Sequence, residues 1–180
     1  MPSPTTPTTS TTRLGLSTCR DLYRKLQFDA SQLDAAEGEG AEKELMQEYA
    51  AFNFFVTAWH LYYDWLEKDL DGRPIYTKQK KETSADTFRE IKDAIRGVAN
   101  GSKHLMLSEA PKVSVSEREI ADYRSWFFGP AFGITTQSYY FSLMTLQDIV
   151  LRYFDWVFDD SISLEMPEEL VSRIAICKVR

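Results

Sequence analysis

Leu45, Tyr49, Phe52, Val56, Trp59, Tyr63 and Leu66 recur at spacings of three and four, the signature of one helical face. A second apolar set, Ala51, Phe54, Phe55, Ala58, Tyr62 and Trp65, runs along another face of the same segment. Together they predict one long helix over about residues 41–70, opened by Glu42 and Glu44 and stopped by Asp71-Gly-Arg-Pro74. A helix that is apolar over most of its circumference packs on several sides. This one is therefore expected as a continuous central rod wrapped by its neighbours.

The remaining pattern supplies those neighbours. Leu22, Leu26 and Leu33, flanked by Tyr23, predict a helix that starts near Ser17 or Thr18, with Asp21 in its first turn. Glu37-Gly-Glu-Gly40 breaks it. Residues 75–83 are polar, and Lys78 to Lys81 read as a solvated loop. Phe88, Ile91, Ile95 and Val98 mark a third helix from about Ser84 to Asn100-Gly101, a pair suited to closing a helix. The period then changes. His104–Leu107, Val113–Val115 and Ile134–Leu143 read as extended, with a short helix over Glu117–Phe127 and a turn at Gly129–Gly133. Leu146, Ile149, Val150, Tyr153, Phe154, Val157 and Phe158 predict a helix from about Thr145 to Phe158, and Pro167 opens a short closing helix to Ile176. The expected fold is mainly α: an antiparallel bundle of four to five helices around a central long helix, with a short inserted β-hairpin. Residues 1–15 are rich in Ser, Thr and Pro and read as a disordered tail, leaving 16–180 as a single domain.

Composition narrows the function classes. A net charge of −6 argues against a general nucleic-acid or anionic-membrane binder, which needs a broad basic field. Asn53, His60 and Asp64 interrupt the most apolar stretch, so no membrane span is expected. Two cysteines, Cys19 and Cys177, are too few for a disulfide scaffold, and no secretory leader is visible; a cytoplasmic location is the expectation. A bridge between these cysteines would tie the chain ends together. No phosphate loop, nucleophile elbow, paired-cysteine zinc motif or Glu-x-x-His pair is present, so neither metal nor cofactor is expected.

Both histidines have polar company. His60 and Asp64 lie four apart on the long helix and share a face. They read either as a binding pair or as a core histidine pinned by its carboxylate. Arg96, Asn100, Lys103 and His104 cluster at the end of the third helix. This group could hold a phosphate or cleave RNA, with His104 as acid/base and Arg96 or Lys103 on the phosphoryl charge; the plainer alternative is a helix cap. The aromatic stretch from Trp126 through Phe132 to Phe141 is either a partner surface or the edge of the core.

The segments Thr57-Ala-Trp-His-Leu-Tyr-Tyr-Asp-Trp65 and Ala99-Asn-Gly-Ser-Lys-His104, with a hairpin and an aromatic helix after them, resemble a poorly characterised group of bacterial and phage-associated helical proteins over roughly residues 40–158. More distantly, the bundle is similar to HEPN domains. That resemblance implies a metal-independent ribonuclease whose helix carries Arg, four to six residues, then His. Here seven residues separate Arg96 from His104, a departure from the motif. The reading that follows is a non-enzymatic protein-interaction or ligand-binding module, as in a bacterial defence or phage-encoded system, paired with itself or another protein. The alternative is a HEPN-like ribonuclease or a nucleotide-binding protein.

Overall fold

A computed structural model describes residues 15–38, 40–68, 74, 76–101, 113–119 and 131–179. The tail up to residue 14, the extended stretch 104–107 and residues 120–127 of the expected short helix lie outside the described residues. Helix α1 spans Cys19–Ala35, and α2 spans Ala41–His60. The chain continues without a break through a π-helical turn, Leu61–Trp65, into a short α3, Leu66–Lys68. Helix α4 is Thr77–Thr83 and α5 is Arg89–Gly101. Strands β1 (Ser114–Glu119), β2 (Ala131–Thr135) and β3 (Tyr140–Ser142) precede α6, Leu143–Phe158, and α7, Glu168–Ile176. The protein is thus mainly helical with a small antiparallel sheet, and among the described residues no helix is long and apolar enough to cross a membrane.

Local chemistry sets the helix ends. Thr18 caps α1 in a capping box: its hydroxyl accepts from the Asp21 amide at 3.1 Å, and the Asp21 carboxylate accepts from the Thr18 amide at 3.0 Å. The Thr18 hydroxyl and Ser17 amide hold the Asp21 carboxyl below its ordinary pKa. Ser142 caps α6, and Pro167 sits at the N-cap of α7.

Helix α2 lies between α1 and α5, while α6 meets α1, α4, α7, β2 and β3. Phe54, Phe55, Ala58 and Leu61 from the long helix join Leu26 and Leu33 of α1, Ile91 and Ile95 of α5, and Tyr153, Phe154 and Val157 of α6 in one core. Its densest point is an aromatic stack: Phe88 and Tyr153 lie 3.6 Å apart between centroids, with planes 11° apart, and Tyr62 tilts against both. The sheet has the order β1-β2-β3, all antiparallel, with Ile134 opposite Val115 on one side and Phe141 on the other.

Some expectations need correction. Glu117 to Glu119, expected to open a short helix, instead form the end of β1. The region 134–143 is not one strand: Thr136 to Tyr139 turn the chain, with the Thr136 amide donating to the Tyr139 carbonyl at 2.9 Å. Ala131 to Gly133, expected within a turn, belong to β2. Residues 77–83 are a helix, and Lys80 and Lys81 are buried rather than solvated. Lys80 Nζ donates to the carbonyls of Trp156 (2.8 Å) and Asp159 (2.6 Å), so this cation closes the C-terminal end of α6, where the helix dipole favours positive charge. Lys81 covers the Tyr62 ring at 4.5 Å and pairs with Glu67. Finally, Cys19 and Cys177 are both free thiols, and Cys19 Sγ donates to the Trp65 carbonyl at 3.1 Å.

Candidate functional site: the outer face of the long helix

The two apolar faces of α2 have different fates. Ala51, Phe54, Phe55, Ala58, Leu61 and Tyr62 are buried. The other set runs down the opposite side. Tyr49 is 61% exposed, Tyr63 59%, Met46 53% and Leu45 46%, with Phe52, Val56 and Trp59 half-buried between them. Over the described residues 41–68 the rod is continuous, as expected, but its neighbours wrap only part of it. One face remains partly open over about 27 Å, the rise of the eighteen residue steps from Leu45 to Tyr63 at 1.5 Å each. Exposed apolar residues scattered singly need no explanation; a contiguous row of this length does.

The row ends in a built structure. Trp59 and Tyr63 stack with centroids 5.0 Å apart and planes 10° apart. The Arg96 guanidinium lies over the Trp59 ring at 5.9 Å, a cation–π approach that pins α5 to α2. Beside them His60 Nδ1 meets Asp64 Oδ2 at 2.9 Å, and both side chains are about one-third to two-fifths exposed. His60 therefore sits at the edge of the molecule, where α2 passes into the π turn, and not inside the core. That turn widens the helix by one residue, and Cys19 Sγ donates to the carbonyl of its last residue, Trp65.

The structure thus brings His60, Asp64 and Arg96 to one pair of helices, with Asn100 one turn beyond Arg96 on α5. Asn100 and Gly101 are the last residues of α5, in keeping with the expected helix end. Lys103 and His104 lie outside the described residues. Of the aromatic stretch 126–141, the described part closes the core: Ile134 and Phe141 are buried and Phe132 packs against them. Among the described residues no group of His, Cys, Asp and Glu is arranged to hold a metal ion.

Sequence reasoning placed the Leu45–Tyr63 row correctly on one face and assigned that face to the core. The signal that could have reversed the choice is polar. Glu42 and Glu48 flank the row and are exposed, whereas the buried face carries only Gln47 and Thr57. Thr57 is itself satisfied, donating to Asp29 at 2.6 Å and accepting from Lys25 at 2.8 Å. Compared with family models, curated proteins and solved structures, the chain matches none.

Proposed function

We propose that this protein is a non-enzymatic interaction module that docks a protein partner on the outer face of α2. The observation that supports this is an apolar face exposed at Leu45, Met46 and Tyr49 and again at Tyr63, joined by the half-buried Phe52, Val56 and Trp59 and closed by the Trp59–Tyr63 stack. Tyrosine and tryptophan are the side chains most enriched at binding hot spots, because each gives a large contact area at little entropic cost. Arg96 and His60 at one end, and Glu42 and Glu48 at the other, supply a polar rim. The acidic balance of the whole chain speaks for a protein partner over a polyanion.

The test is a photo-crosslinking amino acid placed in the full chain at Tyr49, at Tyr63 and, as a control, at the exposed Lys78 of α4. The expected result is discrete protein adducts from the two α2 positions and none from position 78. Equal labelling at all three, or none at any, contradicts the proposal. Incubation with RNA, comparing the wild type with His104→Ala, tests the catalytic alternative. Cleavage by the wild type that the variant lacks would favour that alternative.

A further inference from the structure

We infer that the occupant of the α2 face is a second copy of this chain, docked antiparallel about a two-fold axis; this inference rests on the interaction-module reading above. The argument is self-complementarity. In an isologous interface the same patch serves both partners, so every position must face its own counterpart mirrored about the axis. The midpoint of the Leu45–Tyr63 row falls at position 54. Antiparallel docking about that point sets Leu45 against Tyr63, Tyr49 against Trp59 and Phe52 against Val56 of the other copy. Every pair is apolar, each aromatic meets an apolar side chain, and no charge is placed in the centre.

The rim obeys the same symmetry. Glu48 precedes Trp59 by eleven residues, about three helical turns, so both stand on the same flank of the row. Arg96 reaches over Trp59 on that flank and is exposed, as Glu48 is. A two-fold axis lying in the interface and perpendicular to α2 keeps flanks together while reversing direction. It brings the Glu48 carboxylate of each copy beside the Arg96 guanidinium of the other, twice per dimer. At the other end Asp64 is bonded to His60, and Arg96 is exposed beside Trp59. Parallel docking about an axis along α2 would instead send Glu48 and Arg96 of the two copies to opposite flanks, where this charge pairing is not made.

Sedimentation equilibrium on the full chain tests this, between about 1 and 200 µM, a range suited to an interface of this modest extent. The wild type is expected to dimerise. Tyr49→Glu should abolish the dimer. Glu48→Arg and Arg96→Glu should each weaken it by roughly tenfold, and the two together should restore it to within about threefold of wild type. Circular dichroism confirms that each variant is folded. A wild type that stays monomeric throughout the range overturns the inference, as does a dimer indifferent to Tyr49→Glu or a charge reversal that its partner reversal fails to rescue. Should the chain prove monomeric while crosslinks at Tyr49 and Tyr63 still capture other proteins, the interaction-module reading stands and only self-pairing falls. Absence of both removes the two together.

Discussion

Trp59 and Tyr63 stack on the outside of the long helix, ring on ring at 5.0 Å, with Arg96 of the neighbouring helix over the tryptophan. Two large rings held against each other at the surface have already lost most of their rotamer freedom. A partner that covers them gains apolar burial at little further ordering cost. This preorganisation separates the α2 face from the scattered exposed residues Phe28, Ile162 and Ile176.

Gly97 on α5 is expected to resist replacement. A Cβ built there would lie 2.7 Å from both Val113 methyl carbons, too close for any side chain. Gly to Ala in a helix interior gains about 1 kcal/mol in propensity, whereas forcing a strand-leading segment away from a packed helix costs about 1–3 kcal/mol. Gly97→Ala should therefore lower stability, read as a fall in the urea midpoint. A rise would show that Val113 yields freely.

Lys80 should behave as a core residue. Its side chain is fully buried, and burial holds the ammonium below the usual lysine pKa, while Asp159 and Asp160 act in the opposite sense. Lys80→Ala loses two charge-assisted hydrogen bonds to α6 carbonyls and opens a void, a loss of about 2–5 kcal/mol. Lys80→Met keeps the stem and should lose about 1.5–3 kcal/mol. Equal stability of Met and lysine in urea denaturation would assign the effect to packing alone.

Alkaline pH should unfold the protein. Burial raises the pKa of Tyr153, Tyr62 and Tyr23, and the bond from Tyr23 to Asp155 adds to it. With folded values above the ordinary 10.0, the unfolded chain releases these phenol protons first. The stabilisation is therefore whole below pH 10 and is lost as pH climbs past it. Urea midpoints measured from pH 8 to 11 should decline beyond 10, together with the rise of phenolate absorbance. Tyr153→Phe should flatten that decline.

The α1 cap gives an acid-side counterpart. Asp21 is held below its ordinary carboxyl value, so its contribution is present above that value and fades as pH falls through the folded one. Thr18→Ala removes the cap and should cost about 1 kcal/mol at neutral pH, with a shallower acid dependence. An unchanged thermal midpoint would remove the cap from the account.

Helix positions bearing a 3.6-residue apolar period were legible in the sequence because burial imposes that period directly; α1, α6 and α7 are where Leu22 to Leu33, Leu146 to Phe158 and Pro167 to Ile176 put them, while α5 begins at Arg89, after the expected start near Ser84. What was not legible has a common cause. Thr77 to Thr83 carries no apolar stripe because lysine stems do the packing there, and hydropathy assigns lysine to water. Likewise, α2 is apolar on two sides, and periodicity ranks neither above the other. Only the tertiary arrangement of α1 and α5 decides that Phe54 goes inside and Tyr49 stays outside. The His60–Asp64 pair was readable from its spacing, but its exposure was not, since exposure belongs to the neighbours and not to the helix.

Self-pairing of the α2 face is tested most directly by pulsed electron–electron distances between spin labels on the two copies. Asn53 and Glu42 are both exposed, Cys177 is replaced by serine, and Cys19 is fully buried and left in place. Position 53 lies beside the proposed axis, so Asn53→Cys labels should sit within about 20 Å of each other across two packed helices. Position 42 lies twelve residues from the axis, so Glu42→Cys labels should stand about 36 Å apart along the helices. Short distances at 53 and long ones at 42 are the predicted result. Similar distances at both positions, or no dipolar signal from either, would contradict it.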